Sequence, residues 1–169
     1  MRRICVISTL FLFYLTSAQV KELSEAELNE KADAELLEYS ENRFESDSTR
    51  LADKVYESYS FLVKNFPKSE KRSFYLYTKG CLSFSDEESK KCFKEVIQFN
   101  DWEYYVRQSY LKLSWIAVRE KDYNSALQYL DLIEKMQKPI FFCGNEKETY
   151  NAQLKNIREC CKIGLNLKK

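Results

Sequence analysis

Histidine is absent from all 169 residues. That removes imidazole chemistry: Ser-His-Asp and Cys-His catalysis, histidine-ligated zinc or haem, and histidine proton shuttles. Glycine occurs three times (Gly80, Gly144, Gly164) and proline twice (Pro67, Pro139). A phosphate-cradling loop or a dinucleotide fingerprint needs clustered glycine, and no cluster exists. Hairpin-rich β folds draw heavily on glycine turns, so the scarcity points to helices. No cysteine pair has the Cys-x-x-Cys spacing of an all-cysteine zinc site. Neither a metal nor a cofactor is expected. No dense Lys/Arg run occurs either, which argues against a nucleic-acid partner. Among 26 acidic residues nothing singles out a catalytic pair, and the expectation is a protein that is not an enzyme.

What is present begins with an address. Arg2 and Arg3 precede an apolar stretch over 4–15, and Thr16-Ser17-Ala18 follows with small residues. These are the three parts of a secretory signal peptide, placed at 1–18 with Gln19 opening the mature chain. The apolar stretch is shorter than the roughly 20 residues of a spanning helix, and no second one follows. An uncleaved signal anchor is the alternative. The ending Thr-Ser-Ala-Gln resembles signal peptides common in the Bacteroidetes group of bacteria. An exported protein, periplasmic or secreted and with no membrane span after cleavage, is therefore expected. Its charge is uneven: residues 19–60 carry 12 acidic and 5 basic side chains, and residues 61–169 carry 14 and 20.

Helical punctuation then recurs through one domain, 19–169. Ser24-Glu25-Ala26-Glu27 reads as a capping box opening a helix over about 25–45, with Leu28, Ala32, Leu36 and Tyr39 on one face. Asp47 or Ser48 opens a second helix striped by Leu51, Val55, Tyr59, Leu62 and Phe66, which Pro67 stops. Ser69 is placed to cap a third, about 70–84, with Phe74, Tyr77, Cys81 and Phe84 inward. Ser85 and Glu88 read as another capping box, opening a helix to about 98 along Ser89, Phe93, Val96 and Ile97. Asn100 with Glu103 opens a fifth, about 101–119, along Trp102, Val106, Tyr110, Leu113 and Ala117. A sixth spans about 122–136 along Tyr123, Ala126, Leu130 and Ile133. Asn145 opens the last, 146–164, along Tyr150, Leu154, Ile157 and Cys161. Short connections require antiparallel neighbours.

Residues 107–135 resemble a tetratricopeptide repeat, a 34-residue helix–turn–helix unit. The resemblance rests on Tyr110, Leu113-Ser114, Ala117, Asp122-Tyr123, Ala126, Leu130 and Ile133. Lys121 stands where the family has its turn glycine. Residues 73–99 resemble a degenerate second repeat, with Gly80 at the small crossing position and Ser89, Phe93 and Val96 on the second helix. Residues 24–68 form a weaker pair, whose ending Asn65-Phe66-Pro67-Lys68-Ser69 resembles bacterial envelope repeat proteins. The resemblance implies an all-α, right-handed solenoid of about three antiparallel helix pairs plus a C-terminal capping helix over 146–164. It assigns repeat packing to Gly80, Phe93, Tyr110, Leu113, Ser114, Ala126 and Leu130.

It also implies a concave binding groove. Carried onto this chain, groove positions fall on Phe74, Tyr77, Thr78 and Cys81 of the third helix. On the fifth they are Gln108, Leu111, Lys112, Trp115 and Arg119. Trp115 is either an interface anchor or a packing residue beneath the next helical pair or the last helix. The implied function is a non-catalytic scaffold or adaptor of the cell envelope that takes a protein or peptide partner. The alternatives are a structural subunit docking by its convex face or acidic first helix, and, third, a small hydrolase. Export also opens disulfide chemistry: Cys143 with Cys160 or Cys161 is one candidate bridge, and Cys81 with Cys92 another.

Overall fold

The computed structural model describes residues 23–139, 141 and 144–166. The expected signal peptide at 1–18 lies outside them. Among the described residues there are seven α-helices and no strand. They are α1 (Glu25–Asn42), α2 (Ser48–Asn65), α3 (Arg72–Leu82), α4 (Asp86–Phe99), α5 (Glu103–Arg119), α6 (Tyr123–Lys135) and α7 (Gly144–Asn166). None is long and apolar enough to cross a membrane.

Two helix starts follow the residues that punctuate them. The Ser24 hydroxyl accepts from the Glu27 amide at 3.3 Å, while Glu27 accepts from the Ser24 amide at 2.9 Å, which is the reciprocal capping box. Asp122 caps α6 by accepting from the Ser125 amide at 3.1 Å. Before Pro67, Phe66 leaves helical geometry at φ −121°, ψ 64°, and α2 ends.

Other starts are corrected. Asp47 makes no cap hydrogen bond and instead pairs with Arg50. Ser69 does not cap α3, which begins at Arg72; its hydroxyl accepts from the Lys71 amide and donates to Glu25. Ser85 forms no capping box, because Glu88 is drawn to Lys79 on α3, at 3.0 Å, and to Ser83. Asn100 ends α4 rather than opening α5: it takes the left-handed conformation at φ 49° and donates to the Val96 carbonyl. Asparagine tolerates that conformation through its short polar side chain. Lys121 adopts it too, at φ 60°, without that advantage.

Each helix packs on its neighbours in the chain, and α5 additionally touches α3 and α7. The core is a row of clusters along this order. Ala32, Val55, Tyr59, Leu62 and Tyr75 join α1, α2 and α3. Leu76, Cys92 and Val96 join α3 to α4. Phe93, Leu113 and Ile116 join α4 to α5. Leu111, Ala117, Ala126, Leu130, Ile133, Ile157 and Cys161 join α5, α6 and α7. The inward face of α3 differs from the expected one. Held between α2 and α4, α3 buries Ser73, Tyr75, Leu76, Thr78 and Gly80, whereas Cys81 and Phe84 are exposed.

Of the seven repeat-packing residues, Phe93, Leu113, Ala126 and Leu130 belong to these clusters and Tyr110 packs against one. Phe93, Leu113, Ser114, Ala126 and Leu130 are buried, and Tyr110 stacks 6.1 Å from Tyr129. Gly80 allows a close approach of α3 to α4, where a Cβ would stand 2.9 Å from the Phe93 ring. Gly164 does the same for α7 on α6, against the ring of Tyr123.

The acidic α1 is fastened chiefly by neutral hydroxyls. Tyr59 donates to Asp33 at 2.6 Å, and Tyr75 donates to Glu25 at 3.0 Å. Ser58 donates to the buried Glu35, and Ser69 to Glu25. Lys54 supplies a cation from α2, 3.6 Å from both Glu35 and Glu38.

Candidate functional site

A cleft of about 610 Å³ opens where α5, the segment after α6 and the start of α7 converge. Its size falls in the range of ligand sites, roughly 300–1,000 Å³. A smaller depression of about 300 Å³ lies between α1 and α2, at Leu28, Lys31 and Phe61.

Arg107 builds the larger cleft. One turn into α5, it is 5 % exposed, and its Nη2 makes two bonds of 2.6 Å. One goes to Glu103 Oε1 on its own helix and one to the Gln137 carbonyl. The second bond holds the segment after α6 onto α5. Arg107 Nε is buried and has no partner among the described residues.

Four carboxamides, Gln108, Gln137, Asn145 and Gln153, line the same cleft, with Thr149. Each carboxamide offers both donors and an acceptor, the complement of an extended peptide backbone. Aromatic faces complete the walls: Tyr104 on α5, and Phe141 set 5.6 Å from Tyr150. Burial raises the Tyr150 hydroxyl above its ordinary pKa, Arg107 opposes that, and Glu134 adds to it. The hydroxyl is therefore neutral near pH 7 and able to donate or accept.

From Tyr104 an aromatic array runs along α5 and α3. Tyr105 lies 5.2 Å from Tyr104, 5.8 Å from Phe74 and 5.5 Å from Tyr77, and Tyr77 lies 5.8 Å from Phe93. Burial, with smaller contributions from Tyr104 and Asp33, also raises the Tyr105 hydroxyl.

Of the expected groove residues, Gln108 lines this cleft. Phe74 and Tyr77 are half-buried in the aromatic array, and Thr78 is buried. Leu111 is corrected from groove to core: it is 3 % exposed and belongs to the cluster shared by α5, α6 and α7. Trp115 packs half-buried against that same cluster, which is the packing position. Lys112 is exposed, and Arg119 is held by the Asp86 carboxylate at the start of α4.

Cys81, Cys92, Cys160 and Cys161 are free thiols. Cys143 lies outside the described residues. Helix α7 runs unbroken from Gly144 to Asn166, so residue 160 sits about 24 Å beyond its start. No group of three or more metal-ligating side chains occurs among the described residues.

Sequence reading missed Arg107 and the α7 wall. The signal was present: Arg107, Leu111, Ser114 and Val118 form a second stripe on α5, small or apolar after its first member. A charged residue on such a stripe is buried only with partners, and Glu103 stands four residues before it. Comparisons with family models, with curated proteins and with solved structures return no match to this chain.

Proposed function

We propose that this chain is an exported, non-catalytic scaffold that holds an extended segment of a protein partner in the α5–α7 cleft. In this reading the helices form a right-handed, tetratricopeptide-like stack of three pairs, α1–α2, α3–α4 and α5–α6, closed by α7. The contacts of α5 with both α3 and α7 support that order. The observation that carries the function is the cleft itself, which carboxamides and aromatic rings line together on α5 and α7.

The test is a photocrosslinking residue at Gln108 in the native cell. An adduct to one protein is expected, lost when Thr149→Trp fills the cleft in a variant whose helical circular dichroism is unchanged. An adduct that forms equally with the cleft filled overturns the reading. Export is tested by intact mass: the recovered chain should lack residues 1–18.

A second reading, an assembly subunit docking through α1, is favoured by the exposure of Leu37 (59 %) on that acidic helix and Phe44 (86 %) just after it. It predicts that Leu37→Lys with Phe44→Lys releases the partner while Thr149→Trp does not.

A further inference from the structure

Two charged side chains are buried among the described residues, Glu35 and Arg107. Glu35 is answered by Ser58 and Lys54. Arg107 is answered only in part. Guanidinium groups bind carboxylates best through two parallel N–H bonds, and Glu103 uses Nη2 alone while Nε is left empty. The Glu103 side chain is 46 % exposed, against 7 % for Arg107. It is thus a half-solvated carboxylate resting on a fixed and incompletely used cation.

The charged side chains of the cleft balance, and two helix starts tip its field toward an anion. The first turns of α5 (Glu103, Tyr104) and of α7 (Asn145, Glu146) both line the cleft. Helix N-termini carry partial positive charge and free amides. Lys138 adds a cation, while Glu103 and Glu146 are the acidic groups present.

We infer that Arg107 is a carboxylate-binding residue, and that Glu103 is an internal stand-in which a carboxylate of the bound peptide displaces. The incoming group would take the Nε and Nη2 edge together, and Glu103 would swing into solvent. This rests on the peptide reading above and adds the chemistry that selects the peptide.

The test uses the wild-type chain and three pools of acetylated tripeptides with two randomised positions. One pool ends in glutamate amide, one in glutamine amide, and one in glutamine with a free carboxyl terminus. Binding is followed by the nitrogen–proton resonance of Arg107 Nε and the backbone amides of Thr149, Tyr150 and Gln153. Saturable shifts about tenfold stronger for a carboxylate pool than for glutamine amide are expected. The responding pool tells side-chain from terminal carboxylate. Equal response to the glutamine amide pool overturns the carboxylate inference and leaves the peptide site standing. Silence with all three overturns both.

Glu103→Gln supplies an independent readout that does not depend on altering Arg107. Removal of the stand-in should tighten carboxylate binding about twofold or more, the least that an i,i+4 ion pair with one half-exposed partner is worth. A purely structural Glu103 would leave binding unchanged or weaker, which counts against displacement.

Discussion

Gly80→Ala sets two effects against each other inside α3. In a helix interior the change gains about 1 kcal/mol from backbone entropy and propensity. Here the added Cβ would stand 2.9 Å from Phe93 Cε1 and 3.0 Å from Cys92 Cβ. Ordinary carbon contacts begin near 3.5 Å. Neither neighbour yields easily, since Phe93 is 2 % exposed and Cys92 Cβ is fixed to the backbone of α4. Overpacking of this kind costs about 1–3 kcal/mol. Moving the helices apart also stretches the Ser89 hydroxyl bond to the Gly80 carbonyl, now 2.9 Å. The expected net is a loss of about 1 kcal/mol, or a Tm about 2–4 °C lower. Urea unfolding followed by circular dichroism measures it. A gain of about 1 kcal/mol would refute the close crossing, since only propensity would then be acting. Phe93→Leu provides the cross-check: with the ring removed, Gly80→Ala should become neutral or stabilising, a coupling above about 0.5 kcal/mol.

Lys121→Gly should stabilise the chain by about 0.5–1 kcal/mol in urea unfolding, because Lys121 holds φ 60° at a conformational penalty of about 1–2 kcal/mol for an L-residue. Lys121→Val should do the opposite. Trp115→Ala should lower stability by about 2 kcal/mol, as expected for a large side chain removed from beside the α5–α7 cluster; an unchanged urea midpoint would return Trp115 to the surface. Burial, then the bond to Glu25, pushes the Tyr75 hydroxyl up to about 12, and burial first of all raises Tyr59 and Tyr77 as well. The unfolded chain loses these protons near pH 10 while the folded chain keeps them, so stability falls as pH rises from about 10 toward 12. Tyrosinate absorbance at 295 nm should rise in two phases, and Tyr75→Phe should shift alkaline unfolding to higher pH.

Helix identity was legible in the sequence because period and punctuation agree: Leu51, Val55, Tyr59 and Leu62 face inward as spaced, and Pro67 ends α2. Capping was less legible, because tertiary partners compete for the same groups. Glu88 reads as a reciprocal cap until Lys79 approaches from α3. Glu103 reads the same way until Arg107 takes it. The α3 face failed for a related reason. A helix flanked on two sides has more than one buried stripe, and a single stripe of Phe74, Tyr77, Cys81 and Phe84 cannot describe it. The candidate site was legible at Gln108 alone. Its other walls come from a segment with no periodicity and from a helix more than thirty residues further along the chain.

The fastening of α1 has a consequence for the ionic surroundings the molecule tolerates. Dissolved salt screens attraction between opposite charges over about 8 Å at physiological ionic strength. It acts far less on short hydrogen bonds from uncharged hydroxyls to carboxylates held at the edge of a core. Tyr59, Tyr75, Ser58 and Ser69 supply such bonds to α1, and Lys54 contributes a screenable one. Concentrated brine should therefore strip counter-charges from the outer face of this helix while leaving its seat on α2 and α3 in place.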